Sequence, residues 1–128
     1  MYPEDLKYSK THEWARVEDD LVTVGLTSFA LDHLQDLVFL ELPETETEVE
    51  AGESFGQIES VKAVSDINAP VTGQVVEVNE ELVDELETMK ESPYDQGWLV
   101  KIKVTDPAGL EDMMDAAAYG KHCEEEDA

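Results

Sequence analysis

Residues 52–76 read GESFGQIESVKAVSDINAPVTGQVV, and this stretch decides the fold because it places one lysine between two β-type runs. The runs cover 52–58 and 67–76, and glycine or proline residues, which favour turns, bound them. Lys62 follows the first glycine of the stretch by ten positions and precedes Gly73 by eleven. This near-symmetry predicts a hairpin with Lys62 at its tip, projecting into solvent.

The position of Lys62 suggests a reactive amine. Cations are scarce in this chain, which has seven lysines and one arginine. Glu59 and Asp66 supply carboxylates that a modifying enzyme would recognise, and the small apolar residues Val61 and Val64 would let an enzyme pocket close around the lysine stem. The competing interpretation is an unmodified, solvated hairpin lysine.

Four segments resemble one known family. The run ESVKAVSDINAPVTG at 59–73 is similar to the lipoylation site of glycine cleavage system H proteins. YSKTHEW at 8–14, VFLELP at 38–43 and PYDQGWL at 93–99 resemble other parts of that family in the same order. The lysine segment alone indicates a swinging-arm carrier domain. The His-Glu-Trp and Gly-Trp-Leu segments narrow the resemblance to H proteins, over about 8–119.

The resemblance implies a carrier with lipoate covalently attached to Lys62 and no catalytic site of its own. A pyridoxal-phosphate glycine decarboxylase would load the arm with an aminomethyl group, an aminomethyltransferase would unload it, and dihydrolipoamide dehydrogenase would reoxidise it. Lipoate ligase or a lipoyl or octanoyl transferase would attach the cofactor. Three alternatives stay open: a lipoyl relay or donor H-like protein, a lipoyl domain of a 2-oxoacid dehydrogenase complex, and an unmodified domain that keeps the fold alone.

The composition is strongly acidic, with 32 Asp and Glu against 8 Lys and Arg and a formal net charge of −24. Such a surface repels nucleic acid and anionic membranes, so neither is expected as a partner. The charge suggests a salt-adapted (halophilic) prokaryote, because salt screens the repulsion between exposed carboxylates. No apolar run reaches the length of a membrane helix, and the first residues, MYPED, lack a signal or transit pattern. We therefore expect a cytoplasmic protein.

The pattern of elements predicts a β-rich (all-β/α+β) fold. It is a lipoyl/biotinyl-type flattened barrel or sandwich with short helices and a C-terminal helix. The length predicts a single lipoyl-carrier domain over 1–128, with a core of about 8–119 and a mobile acidic tail at 120–128. Strands are predicted at 13–18, 21–26, 37–42, 54–58, 73–78 and 98–104. Helices are predicted at 28–34, at 79–90 with Asn79 as N-cap, and from Asp106-Pro107 to Gly120, which ends the last one.

The segment at 8–14 carries a second candidate site. Glu13 is predicted to face a cleft that receives the loaded arm, because a carboxylate in a partly dry cleft favours a cationic aminomethyl group. The competing interpretation places Trp14 in the core and the polar pair His12 and Glu13 on the surface. Phe39 and Trp98 are predicted to lie in the core.

Two further motifs carry no site. Cys123 is the only cysteine, so no intrachain disulfide is possible. Together with His122 it offers two possible ligands on a tail, too few for a closed metal site, so no metal site and no catalytic residue are predicted. A biotin site typically carries methionine on both sides of its lysine, at the tip of a hairpin. Met89-Lys90 matches only the first half of that pattern, because Glu91 follows the lysine and the pair ends a predicted amphipathic helix.

Overall fold

The computed structural model describes residues 3–34, 36–106, 108–111 and 113–127. Within these ranges the chain forms two antiparallel sheets and five helices. The strands are β1 Lys7–Tyr8, β2 Glu13–Glu18, β3 Leu21–Leu26, β4 Leu37–Glu41, β5 Glu48–Val49, β6 Ser54–Ser60, β7 Val64–Asn68, β8 Thr72–Val78 and β9 Trp98–Asp106. The helices are α1 Ser28–Leu34, α2 Glu81–Asp84, α3 Glu87–Glu91, α4 Ala108–Glu111 and α5 Ala116–Asp127. The predicted β-rich fold class is confirmed.

The larger sheet has six strands in the order β1-β2-β3-β9-β8-β5. β2 and β3 form a hairpin whose last pair is Glu18 and Leu21, with Asp19 in the left-handed region at φ 57°. Aspartate adopts this conformation more readily than most residues, which suits it to the tight turn. β9 pairs with both β3 and β8 and therefore joins the N-terminal hairpin to the rest of the sheet.

The smaller sheet has three strands in the order β4-β6-β7, and it carries the hairpin with the lysine. The last paired residues of β6 and β7 are Glu59 and Val64. The second β-type run, predicted at 67–76, is divided between the two sheets. β7 ends at Asn68 in the smaller sheet, and β8 begins at Thr72 in the larger one. Pro70 lies in this crossing, where its lack of an N–H costs the sheets no ladder hydrogen bond.

Two apolar clusters form the interior. The main cluster combines residues of both sheets with buried helical leucines and a methionine, and it includes Val22, Val24, Leu31, Leu40, Ile58, Ile67, Val75, Leu82, Met89, Leu99, Val100 and Ile102. The second cluster is built on Tyr8, Trp14 and Tyr119, with Leu6 and Cys123 beside them. The rings of Tyr8 and Tyr119 stack with their centroids 4.7 Å apart. These aromatic contacts join the N-terminal segment to the last helix.

The prediction of one continuous helix at 79–90 is wrong. α2 and α3 are separate one-turn helices, with a break at 85–86. Glu85 leaves the helical region at φ −133° and ψ 62°. Asn79 is also not the N-cap, a position that Glu80 occupies. The Asn79 side chain instead donates hydrogen bonds to the carbonyls of Gln96, at 3.1 Å, and Trp98, at 2.9 Å. Tertiary contacts therefore override the local helical pattern.

The single C-terminal helix predicted to end at Gly120 is wrong as well. Between α4 and α5, Met114 forms an isolated antiparallel bridge with Tyr8, and the two residues exchange backbone hydrogen bonds of 2.8 and 2.7 Å. The helix α5 then starts at Ala116, and Gly120 lies inside it. A glycine inside a helix costs about 1 kcal/mol relative to alanine, and burial of Tyr119 in the aromatic cluster offsets that cost. Pro107, predicted to open this helix, lies outside the described residues.

No helix in the described part of the chain is both long and apolar enough to cross a membrane.

Candidate functional site

Lys62 lies where the sequence predicted it, at the turn of the β6–β7 hairpin, and it is exposed. The turn is closed by a hydrogen bond of 2.8 Å from the N–H of Ser60 to the carbonyl of Ala63. Among the residues that the structure describes, no salt bridge involves the Lys62 ammonium group. The amine is therefore presented to solvent and is accessible to a modifying enzyme.

Ser60 organises the turn from inside, and sequence reasoning missed it. Its side chain is 8% exposed. Its Oγ accepts hydrogen bonds from the N–H groups of Lys62, at 3.3 Å, and Ala63, at 3.1 Å. The N–H of Val61 donates to the carbonyl of Asp36 at 3.0 Å, which ties the tip to the segment before β4. The turn that carries Lys62 is thus fixed by contacts on both sides.

Glu59 and Asp66 lie on the same face of the small sheet. In the register of β6 and β7, Glu59 is paired with Val64 and Gln57 is paired with Asp66. The Asp66 carboxylate accepts a hydrogen bond of 3.1 Å from the Gln57 amide and is exposed. Glu59 is half-buried. Both carboxylates are accessible on one side of the lysine turn, and their role in recognition stays a prediction.

The predicted burial of Phe39 is wrong, because its side chain is 47% exposed. A register shift between Leu37 and Phe39 pairs Phe39 with Glu59, so it lies on the same uncovered face of the small sheet. Val61 is 69% exposed and Val64 is 56% exposed beside the lysine. We call Phe39, Val61 and Val64 the lysine-flanking apolar surface. Trp98, also predicted to be in the core, is partly buried and packs against the aromatic cluster.

Glu13 is buried, so the interpretation that placed it on the surface is wrong. Its side chain is 1% exposed. One carboxylate oxygen accepts hydrogen bonds from the hydroxyls of Ser9, at 2.6 Å, and Thr11, and the other accepts one from the N–H of Asn68 at 3.3 Å. Burial raises the pKa of Glu13, and the hydrogen bonds from Ser9 and Thr11 oppose this shift. The carboxylate links the start of β2 to the end of β7, the strand that follows the lysine turn.

Two open clefts lie near these residues. The cleft that contains Glu13 has a volume of about 450 Å³ and is also lined by Thr11, Asn68 and Met113. A second cleft, of about 220 Å³, is lined by His12, Leu26, Phe29, His33, Ser65, Asp66 and Glu126. Thr11 lines both clefts, whereas Glu13 and Asp66 line different ones. The Glu13 cleft therefore exists, and its use by a loaded arm stays a prediction.

His12 lines the second cleft from the loop before β2. Its ring packs against Phe29, with centroids 4.7 Å apart, and its Nδ1 shares a hydrogen bond of 2.7 Å with the Tyr119 hydroxyl. Burial lowers the pKa of His12, while the carboxylate of Glu126 opposes that shift. His12 is thus in contact with the last helix, a long-range pairing that the sequence did not reveal. Lys90, the rejected biotin candidate, is exposed in the last turn of α3.

A two-sheet β-rich domain with an exposed lysine at a rigid hairpin turn defines the class of cofactor-carrying, swinging-arm domains. Comparison with known proteins narrows that class. The family model for the glycine cleavage H-protein matches residues 6–126. A solved structure of a glycine cleavage system H protein from Mycobacterium marinum is similar with a TM-score of 0.88 and 41% identity, covering 94% of this chain and 97% of that one.

Curated relatives agree with the structural comparison. A glycine cleavage system H protein of Staphylococcus carnosus is 56% identical over 91% of this chain and 93% of its own length. The mitochondrial H protein 2 of Arabidopsis thaliana is 51% identical over 97% of this chain and 80% of its own length. The chain therefore belongs to the glycine cleavage H-protein family. The predicted resemblance is confirmed, and membership supports the role of a lipoyl-carrying shuttle of the glycine cleavage system.

Proposed function

We propose that Lys62 carries lipoate in an amide bond and that residues 1–128 act as a single carrier domain. The observation that carries this proposal is the exposed lysine on a turn fixed by Ser60. A fixed turn presents the amine in one conformation to the modifying enzyme, while the long aliphatic side chain keeps the attached group mobile. When bound, lipoate supplies a dithiolane that accepts the aminomethyl group of glycine.

This chain supplies position and shelter and leaves the chemistry to its partners. The partners we propose are glycine decarboxylase with its pyridoxal phosphate, the aminomethyltransferase and dihydrolipoamide dehydrogenase, together with lipoate ligase or a lipoyl or octanoyl transferase. A covalent tether holds the group at roughly millimolar effective concentration near a docked partner. The proposed compartment is the cytoplasm.

Modifying enzymes are proposed to recognise the outer face of the small sheet. The lysine-flanking apolar surface offers burial on both sides of the turn, and Glu59 and Asp66 place carboxylates beside it. Large exposed apolar residues gathered next to a functional group are typical of interaction sites. This face therefore combines the apolar contact and the charge that recognition of Lys62 needs.

The buried carboxylate of Glu13 is proposed to hold the loaded arm. A cationic aminomethyl group that enters the Glu13 cleft would meet a carboxylate removed from solvent, where charge attraction is stronger than in water. Ser9 and Thr11 orient that carboxylate through their hydroxyls. Shelter in this cleft would keep the group from water between partners.

The acidic surface is proposed to be an adaptation to a salt-rich cytoplasm. The formal net charge of −24 implies strong self-repulsion in dilute buffer. At 1 M salt the Debye length falls to about 3 Å, which screens most pairs of exposed carboxylates. Under such conditions partner docking depends on shape and apolar contact more than on long-range attraction.

A reconstituted assay tests the proposed function. The lipoylated chain is added to glycine decarboxylase, aminomethyltransferase and dihydrolipoamide dehydrogenase together with tetrahydrofolate, which accepts the one-carbon unit, and NAD, which accepts the electrons; glycine-dependent NADH formation is then followed. We expect activity with the wild type and none with Lys62→Arg, while the control Lys90→Arg stays active. Lipoyl transfer from the chain to other lipoyl enzymes without glycine-dependent NADH formation would instead favour the relay or donor alternative.

A further inference from the structure

Three potential metal ligands from opposite ends of the chain meet beside the second cleft. His12 lies in the loop before β2, whereas His122 and Glu126 lie one turn apart on the twelve-residue helix α5. One ligand atom from each residue lies within 4.8 Å of the other two. We propose that His12, His122 and Glu126 form a binding site for a divalent transition-metal ion of the zinc type. This proposal does not depend on the carrier function.

The three side chains already converge on one point. Nε2 of His12 lies 2.7 Å from one carboxylate oxygen of Glu126, and Nε2 of His122 lies 3.2 Å from the other. Ligand atoms around a tetrahedral zinc ion, at metal distances of about 2.0–2.2 Å, are roughly 3.3 Å apart. Small side-chain rotations would therefore bring all three ligands to a single ion. Two imidazoles and one carboxylate are a known zinc ligand set, which leaves the fourth position open.

The protein holds His12 in place by contacts that are separate from the ion site. Its φ is 74°, its N–H donates to the carbonyl of Ser9 at 3.1 Å, and its carbonyl accepts from the N–H of Thr27 at 3.1 Å. Its Nδ1 shares a hydrogen bond of 2.7 Å with the Tyr119 hydroxyl, which lies 2.6 Å from the hydroxyl of Thr27. An outer partner of this kind orients a ligating imidazole and directs its other nitrogen to the metal.

The site is accessible and lies at the wall of a cleft. The side chains of His12, His122 and Glu126 are 17%, 24% and 41% exposed, so an ion can enter from solvent and still be partly shielded. His12 and Glu126 also line the second cleft, together with Asp66. A bound ion would therefore fix α5 against the N-terminal loop beside that cleft.

Zinc titration of the tag-free, full-length chain tests the proposal. Calorimetry with Zn²⁺ in 1 M KCl and excess Mg²⁺ suppresses weak binding to the many surface carboxylates. We expect one zinc ion per chain and at least about tenfold weaker binding in His122→Gln and Glu126→Gln. The matched controls Glu125→Gln, on the same helix, His33→Gln and Cys123→Ser should bind as the wild type does.

Cobalt spectroscopy gives a second readout that does not rely on the variants. Co²⁺ at the proposed site should produce the visible absorption of a four- or five-coordinate nitrogen and oxygen environment. Hydrogen exchange of the backbone in α5 should slow on zinc addition, since the ion ties the helix to His12. The proposal is overturned if no zinc binds under these conditions, if His122→Gln and Glu126→Gln bind as the wild type does, or if a thiolate charge-transfer band shows Cys123 to be the ligand.

Discussion

Replacing Ser60 by alanine should weaken the turn that presents Lys62. The change removes one Oγ that accepts from the N–H groups of Lys62, at 3.3 Å, and Ala63, at 3.1 Å. The same hydroxyl donates to the carbonyl of Ala63 at 3.3 Å, so three hydrogen bonds are lost. A typical hydrogen bond contributes about 0.5–1.5 kcal/mol net, which gives about 1.5–4.5 kcal/mol for three. All three bonds lie at or beyond the long end of the normal range and Lys62 is exposed to water, so we expect the low end, about 1–2 kcal/mol.

The functional effect follows from the same magnitude. The free-energy difference between the ordered turn and its other conformations sets the fraction of molecules with the turn formed. Where the other conformations dominate, each 1.4 kcal/mol lost from the ordered turn reduces its population about tenfold. A loss of about 1–2 kcal/mol therefore limits the fall in population to about 5- to 30-fold. Because the ordered turn starts as the favoured conformation, we expect a smaller fall, about 3- to 10-fold, in kcat/KM for lipoylation, which is followed by intact mass. The matched control is Ser54→Ala, which removes one exposed hydrogen bond at the far end of β6. Equal lipoylation of Ser60→Ala and Ser54→Ala, at equal urea midpoints, would refute the reasoning.

Three further changes test other parts of the account. Phe39→Ser should slow lipoylation and change the free energy of unfolding by less than about 0.5 kcal/mol relative to the wild type, because the ring is 47% exposed. The control Val17→Ser, on the other sheet, should be lipoylated at the wild-type rate. Gly25→Ala should lower the free energy of unfolding by about 1–3 kcal/mol in urea titrations, since the new Cβ would lie 2.5 Å from the ring of Trp14; unchanged stability would contradict this packing. The melting temperature should be higher in 2 M than in 0.1 M KCl, and equal values would count against salt adaptation.

Local patterns in the sequence were sufficient for the position of Lys62 and for six of the nine strands in the described residues, whereas β1, β5 and β7 were not predicted. β2 and β3 match their predicted bounds, as does α1, because alternation and capping are local signals. The helical pattern over 79–90 gave no sign of the break at Glu85, and Asn79 is not the N-cap because its side chain bonds to carbonyls 17 and 19 positions away. The burial of Phe39 was misjudged because a register shift in β4 places it on the uncovered face.

Long-range pairings account for the parts of the sites that the sequence could not give. The buried carboxylate of Glu13 accepts a hydrogen bond from Asn68, 55 positions away, which no local pattern indicates. His12 contacts Glu126, which lies 114 positions later in the chain. The spacing of the residues in the sequence did not indicate that the C-terminal residues contact His12. The mobility predicted for residues 120–128 stays a prediction, although residues up to Asp127 are helical. Hydrogen exchange of α5 would test it.

Peptide mapping after enzymatic lipoylation shows directly whether Lys62 is the attachment site. The wild-type chain is treated with lipoate ligase, digested, and analysed by tandem mass spectrometry, with Lys62→Arg in parallel. We expect a single lipoyl group, found only on the peptide that contains Lys62, and an unmodified Lys62→Arg chain. A lipoyl group on any other lysine of the wild type, or one that persists in Lys62→Arg, would contradict it.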